Sequence, residues 1–331
     1  MRGDSTARAG YEIRGSVAST TLGIEVMGIE ETGKIAADAP VERIAGMPFD
    51  RFVEHYRNPR RPLIHTDAAA AWPAYSKFKP DWFRANYAGK HLRLRGRDWT
   101  LGEILDVLEH STAAQPGPYP CKFEIVRDFP ELLADVTPRF AYSLPDRQTH
   151  PLVPARLFSG VNNLEIFFGG PGGKFPYLHY DLMHEHAWIT QLHGDKEFTL
   201  YAPDQAPFLY VNPDEPWQSS IENHQDPDYA RYPLFNQARS QKVILHAGET
   251  LFLPCGWWHT ARSLNMTISV AFDQLGPDNW SDFRKDVQAT RARRGKPLLG
   301  AALNAYLALL SPVLAVAELF GANRDTRWSG R

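Results

Sequence analysis

Ala187-Trp188-Ile189-Thr190-Gln191-Leu192-His193-Gly194-Asp195-Lys196-Glu197-Phe198-Thr199-Leu200-Tyr201 is two runs rich in β-branched, aromatic and aliphatic residues, interrupted by a glycine and an aspartate. It predicts a strand over 187–193, a two-residue turn at Gly194-Asp195 and a returning strand over 196–201. The same pattern recurs downstream. Leu251-Phe252-Leu253-Pro254 reads as an apolar strand closed by proline and Cys255-Gly256 as a turn; Trp257-Trp258-His259 re-enters extended chain that continues through Met266–Phe272. Ala247-Gly248-Glu249-Thr250 is the turn that launches this unit. Short strands between Gly/Pro turns dominate from Phe158 to Phe272. The predicted fold is therefore mainly β with flanking helices, built on a double-stranded β-helix of jelly-roll type.

Upstream of the first run lies His179-Tyr180-Asp181. Extended chain alternates faces, so His179 and Asp181 point one way and Tyr180 the other. His259, delivered after a Gly turn between two apolar strands, would complete two histidines and one carboxylate. That set suits non-haem iron(II), because it leaves coordination positions open for a cosubstrate and dioxygen. The chain has 12 histidines, so the triplet alone says little, and a structural histidine packed under Trp257 is the competing reading of His259. Lys196 shares the parity of Phe198 and Leu200 on the inward face. An ammonium there is costly unless it meets an anion, such as a dicarboxylate cosubstrate, or reaches water. A strand-edge lysine in solvent is the ordinary alternative.

Together these residues resemble the JmjC-type (jumonji C, cupin-like) iron(II)/2-oxoglutarate-dependent dioxygenases, nearest their small single-domain hydroxylases. The resemblance covers about residues 40 to 275. Arg61-Pro62-Leu63-Ile64 with Ala71-Trp72-Pro73-Ala74 matches the family's N-terminal signature. His179-Tyr180-Asp181, then 191–196, then 253–259 match its core in order, and Asp226–Phe235 resembles an insert between core strands. The resemblance implies Fe(II) held by His179, Asp181 and His259, with Lys196 pairing the distal carboxylate of the cosubstrate 2-oxoglutarate. It implies hydroxylation of an unactivated C–H bond, with succinate and carbon dioxide as coproducts. Departures exist. Pro176 stands where the family often has Thr, and Ala187 where it often has Asn, after a two-residue expansion that contains His184 and His186. Thr190 is the substitute cosubstrate donor, or else an ordinary β-branched strand residue. Tyr180, Trp188 and Trp257 are expected as pocket walls, and 182–186 at the pocket mouth, shaping selectivity.

The rest of the chain bounds these readings. At 331 residues with 43% hydrophobic content, it has room for a barrel and flanking helices without a second catalytic domain. A net charge of −2 gives no reason to expect nucleic acid or an anionic membrane as partner. Cys121 and Cys255 are too few for a disulfide framework, which with the absence of an apolar leader in 1–20 leads us to expect a cytoplasmic protein. The organisation expected is a partly disordered N-terminal arm (1–40), a helical and strand flank (41–157), the catalytic core (158–275) and C-terminal helices (276–331). Helices are expected near 49–56, at 79–83, at 101–108 behind a Thr100 capping box, at 130–134 and over 280–294, with loop from 116 to 154. The apolar run 298–320 approaches a membrane span in length, but Asn304, Pro312 and Glu318 interrupt it. Two helices broken near Ser311-Pro312 are expected, packed on the barrel or on a second subunit as a homodimer contact. The substrate is a peptide or protein side chain, an amino acid or a small metabolite. N-methyl demethylation by the same chemistry and a non-oxygenase metal-binding cupin are the alternatives.

Overall fold

The computed structural model describes residues 40–158 and 164–321, so most of the expected N-terminal arm and the last ten residues lie outside the described residues. In chain order the flank contains β1 (Glu42–Ile44), α1 (Phe49–Phe52) and β2 (Leu63–His65). It continues with α2 (Pro73–Lys77), α3 (Pro80–Tyr87), β3 (His91–Leu94), β4 (Arg97–Thr100) and α4 (Leu101–Glu109). Then come β5 (Cys121–Glu124) and α5 (Ile125–Asp128). The barrel strands are β6 (Glu165–Gly169), β7 (His186–His193), β8 (Lys196–Tyr201), β9 (Gln241–Leu245), β10 (Thr250–Leu253), β11 (Trp258–Ser263) and β12 (Thr267–Gln274). Two helices close the chain, α6 (Trp280–Arg293) and α7 (Pro297–Leu319).

β3 and β4 form a separate two-stranded ribbon, and the strands of the barrel divide between two sheets. One has seven strands in the order β1-β2-β10-β7-β12-β6-β5, and the other has three in the order β11-β8-β9. All their pairings are antiparallel except β1 with β2. This is the jelly-roll expected from the sequence, with one correction. Gly194-Asp195 is no hairpin turn, because β7 and β8 belong to different sheets. It is a corner. Gly194 has φ +70°, and a Cβ there would sit 2.0 Å from the Met266 carbonyl oxygen, so only glycine fits.

Side-chain alternation sorts the large sheet into two faces. Trp188, Leu192, Phe252, Ile268, Val270, Ile166 and Phe168 point outward and pack under the flank with Phe52, Phe83, Ile104 and Leu108. Ala187, Ile189, Leu251 and Leu253 point inward and meet Phe198, Leu200 and Ala261 of the small sheet. The central strands β7, β10 and β12 are covered on both sides, which is why these runs are apolar almost throughout, whereas β1, β5 and β9 each leave residues exposed. The Thr100 capping box is present, and α4 buries Leu101, Ile104, Leu105 and Leu108 at helical spacing.

Two expectations fail here. The stretch read as loop from 116 contains β5, which pairs with β6 and extends the large sheet, and β1 and β2 extend its other side. The barrel therefore recruits strands from the flank. Pro312 also lies inside one continuous helix, α7. A proline removes one backbone hydrogen bond. The turns on either side are anchored, because Leu307, Leu310 and Leu314 pack with Trp280, Phe283 and Val287 of α6. By length and composition α7 passes for a membrane span, although one of its faces is committed to α6.

Candidate active site

The barrel's inward face opens into a cavity of about 220 Å³ lined by side chains from both sheets. Among its polar features is a histidine pair set by a backbone bridge. Segment 173–179 runs antiparallel beside β11, with Phe175 N–H donating to Ala261 O at 2.9 Å. His179 and His259 exchange both backbone hydrogen bonds, at 3.1 and 2.6 Å. They are directly opposed partners, so their side chains share a face, with ring centroids 4.3 Å apart. Asp181 follows two residues later in extended conformation (φ −66°, ψ 135°) at the start of a short turn, Leu182–His184. Its Oδ1 lies 4.0 Å from His259 Nε2.

One ligand atom from each of His179, Asp181 and His259 lies within 4.8 Å of the others. Two donors held about 2.2 Å from one ion cannot stand farther apart than roughly 4.4 Å. Small side-chain rotations close that gap. The donor chemistry also fits. His259 directs Nδ1 at the Trp257 carbonyl oxygen at 3.2 Å, which favours the tautomer with a bare Nε2 facing Asp181. His179 Nδ1 is buried without a partner among the described residues. Burial, then the neighbouring His259, hold the His179 imidazole well below its usual pKa, in the neutral form a metal requires. Burial raises the Asp181 carboxyl while His259 opposes it; a cation in the gap would remove that burden.

Lys196, the first residue of β8, projects into the same cavity. It is 3% exposed, and its Nζ donates to Ser269 Oγ of β12 at 2.5 Å. The rings of Tyr119 and Phe167 lie 5.7 Å from it. Among the described residues no carboxylate stands within ion-pair distance, and burial pushes the amine down to about 7. A neutralising anion is what this environment lacks.

Other expectations do not survive the geometry. Thr190 does not reach the cavity: it shares the outward parity of Trp188 and Leu192, and its hydroxyl bonds Thr250 Oγ1 at 2.9 Å. Ser269 and Tyr119 are the polar groups beside Lys196 instead. Tyr180, Trp188 and Trp257 are not walls. Tyr180 packs on Trp258, Trp188 belongs to the outward core, and Trp257 Nε1 bonds the Arg60 carbonyl at 2.8 Å. The aromatic walls are Tyr119, Phe167, Phe175, Tyr177, Phe198 and Trp217, the last from the chain between β8 and β9. Of the 182–186 segment, Leu182 alone lines the cavity. His184 and His186 turn away to Asp286 (2.6 Å) and Asp278 (2.7 Å). Burial opposes the charged form of His186, but Asp278 outweighs it and lifts the imidazole to about 9.

The class defined by this fold and this cluster is a jelly-roll with a two-histidine, one-carboxylate centre. The signature described as "Cupin-like domain" matches residues 93–272. The chain is 25% identical over 240 residues to lysine-specific demethylase 8 of Xenopus tropicalis, covering 67% of this chain and 50% of that protein. To human tRNA wybutosine-synthesizing protein 5 it is 25% identical over 250 residues, 70% of this chain and 76% of that protein. To lysine-specific demethylase JMJ30 of Arabidopsis thaliana it is 26% identical over 249 residues, covering 70% and 54%. The chain spans about half the length of the demethylase relatives it matches. It belongs to the cupin-like JmjC family.

Proposed function

We propose that this protein is an Fe(II)/2-oxoglutarate-dependent oxygenase that hydroxylates an unactivated C–H bond of a side chain, amino acid or small metabolite. The observation that carries the reading is one cavity holding both a clustered His179-Asp181-His259 triad and the buried, anion-deficient Lys196. Iron(II) with 2-oxoglutarate supplies the oxidising chemistry, consuming dioxygen and giving succinate and carbon dioxide. His179, Asp181 and His259 hold the ion and leave part of its surroundings free of protein ligands. Lys196 and Ser269 hold the distal carboxylate of the cosubstrate, and the anion restores the charged form of the lysine. Phe167, Phe175, Tyr177 and Trp217 exclude water and limit which C–H bond comes near the centre.

The test is succinate formation that requires both Fe(II) and 2-oxoglutarate and disappears in Asp181→Ala. Turnover that persists without either component, or in that variant, refutes the reading. A second reading is N-methyl demethylation, favoured by the names of the lysine-specific demethylase relatives. Stoichiometric formaldehyde release separates it from stable hydroxylation.

A further inference from the structure

The segment that follows Asp181 adopts a conformation that its own residues do not favour. Met183 (φ 62°) and His184 (φ 51°) are consecutive non-glycine residues in the left-handed region. L side chains pay a steric cost there, so surrounding contacts must impose the shape. Those contacts come from the C-terminal helices. Asn279, which precedes α6, donates from Nδ2 to the His184 carbonyl at 3.0 Å and to the Gln274 carbonyl at 3.1 Å. Asp286, two turns along α6, pairs with the His184 imidazole at 2.6 Å. Met183 packs into the cluster formed by Phe283, Leu307 and Leu314. On the other side of this turn stand Asp181 and the cavity residue Leu182.

We infer that α6 is a brace for the metal centre: Asn279 and Asp286 are positioning residues that hold the 182–184 turn and thereby aim Asp181 at the two histidines. The inference rests on reading His179, Asp181 and His259 as metal ligands, and it goes beyond that reading by giving the C-terminal helices a role in the site. His179 and His259 need no such help, since the ladder opposes them directly. Asp181 is in no ladder and depends on the turn.

The test uses the full chain and three variants. Asp286→Ala removes the imidazole contact, and Asp286→Ala with His184→Gly relaxes the turn by placing a residue that accepts positive φ freely where the contact is already lost, keeping the Met183 packing and the Asn279 bond to the carbonyl of 184. Asp106→Ala, which breaks a surface ion pair between α4 and Arg84 of α3, is the control. Two readouts are taken: Co(II) affinity in the absence of oxygen, and amide hydrogen exchange of residues 181–185 in metal-free protein. The brace predicts roughly tenfold weaker Co(II) binding and faster local exchange in Asp286→Ala, the low end of the effect of groups that orient a ligand, because Asp286 acts on Asp181 only through the turn. Affinity returns toward wild type in the double variant and is unchanged in Asp106→Ala. Equal Co(II) affinity and equal exchange in wild type and Asp286→Ala overturn the brace. Weakening that His184→Gly fails to rescue also overturns it, by pointing to general loosening of the fold. If wild type binds no Co(II) while exchange at 181–185 still responds to Asp286→Ala, the metal-centre reading fails and the brace survives as a property of the turn.

Discussion

Replacing Lys196 by methionine should make the metal-free, cosubstrate-free protein more stable, and by an amount that depends on pH. The amine is buried, donates to Ser269 Oγ and faces two aromatic rings, and its pKa falls from 10.5 to about 7. Because the unfolded chain holds this proton more tightly, stability rises with pH between about 7 and 10.5. Below about 7 both states are protonated, and the penalty is constant and largest. A shift of this size corresponds to about 4–5 kcal/mol at full strength. Water penetration and relaxation around a buried charge reduce it, so an advantage of about 2 kcal/mol for Lys196→Met at pH 7 is the working figure. The assay is urea denaturation followed by tryptophan fluorescence at pH 7 and pH 10. The advantage should shrink to under about 1 kcal/mol at pH 10, where the folded amine is neutral and the unfolded one, close to its own pKa, gains little from staying protonated. The His186–Asp278 pair is common to both proteins and cancels in the difference. Saturating 2-oxoglutarate should stabilise wild type and leave Lys196→Met unmoved. A wild type more stable than the variant at pH 7, or a difference independent of pH, would refute the assignment of Lys196 as an uncompensated buried cation.

His186→Ala leaves Asp278 buried beside Arg57 with one partner fewer, and should cost about 3 kcal/mol by denaturant melt at pH 6. With its folded-state value near 9, the charge-dependent part of the His186 contribution is complete below about 6.5 and fades as pH rises through 9, so the gap should narrow by pH 10 to what the buried ring and its bond from Cys255 N–H contribute. Gly194→Ala forces a Cβ to within 2.3 Å of Asn265 Oδ1 and closer still to the Met266 carbonyl, at φ +70°. A loss of roughly 3 kcal/mol is expected, and a melting temperature within a degree of wild type would show that the corner tolerates a side chain. On α7, Leu299, Tyr306, Leu309, Val313, Val316 and Phe320 are exposed at alternating three- and four-residue spacing, with Ala302 in the same row. That spacing is a helix-packing seam, and we propose that it joins two copies of the chain. Leu309→Glu with Val313→Glu should convert a dimer to a monomer in sedimentation equilibrium, whereas a wild type monomeric at high micromolar concentration would discard the seam.

The strand content was legible because a two-residue alternation and Gly/Pro punctuation survive in a single sequence, and His179, Asp181, His259 and Lys196 stood out because charged or ligating groups sat among apolar runs. What could not be read was which sheet each strand joins. Thr190 is read as the substitute donor only because it lies on the strand next to that of Lys196. The corner at Gly194 instead sends β8 to the other sheet, where its neighbours are β9 and β11, and leaves Thr190 outside the cavity. β5 was missed because four residues, Cys121 to Glu124, carry too little periodicity to compete with the prolines around them. The aromatic walls were misassigned for a related reason. Tryptophans are conspicuous in sequence, but Trp188 has outward parity and Trp257 precedes β11, whereas Phe167 earns its place by standing one residue from the outward-facing Ile166 and Phe168. Pro312 signalled a break that local sequence alone would enforce, and packing against α6 overrode it.

The three candidate ligands are specified by physically different means. His179 and His259 face each other because they exchange both backbone hydrogen bonds at a bridge, and His259 is itself fixed in β11, which pairs with β8 along its whole length. Asp181 lies just past that bridge, at the entrance to a turn with two left-handed residues held from outside by Asn279, Asp286 and the α6–α7 cluster. Substitutions in the barrel sheets should therefore unfold the protein before they disturb the histidine pair. Substitutions in α6 can move the carboxylate within an otherwise intact fold. The division also accounts for the position of the sequence departures from the family pattern. The two-residue expansion after Asp181 adds chain at the one ligand whose geometry the bridge does not set, and His184, which lies in that expansion, supplies the contacts to Asn279 and Asp286 that an added turn requires.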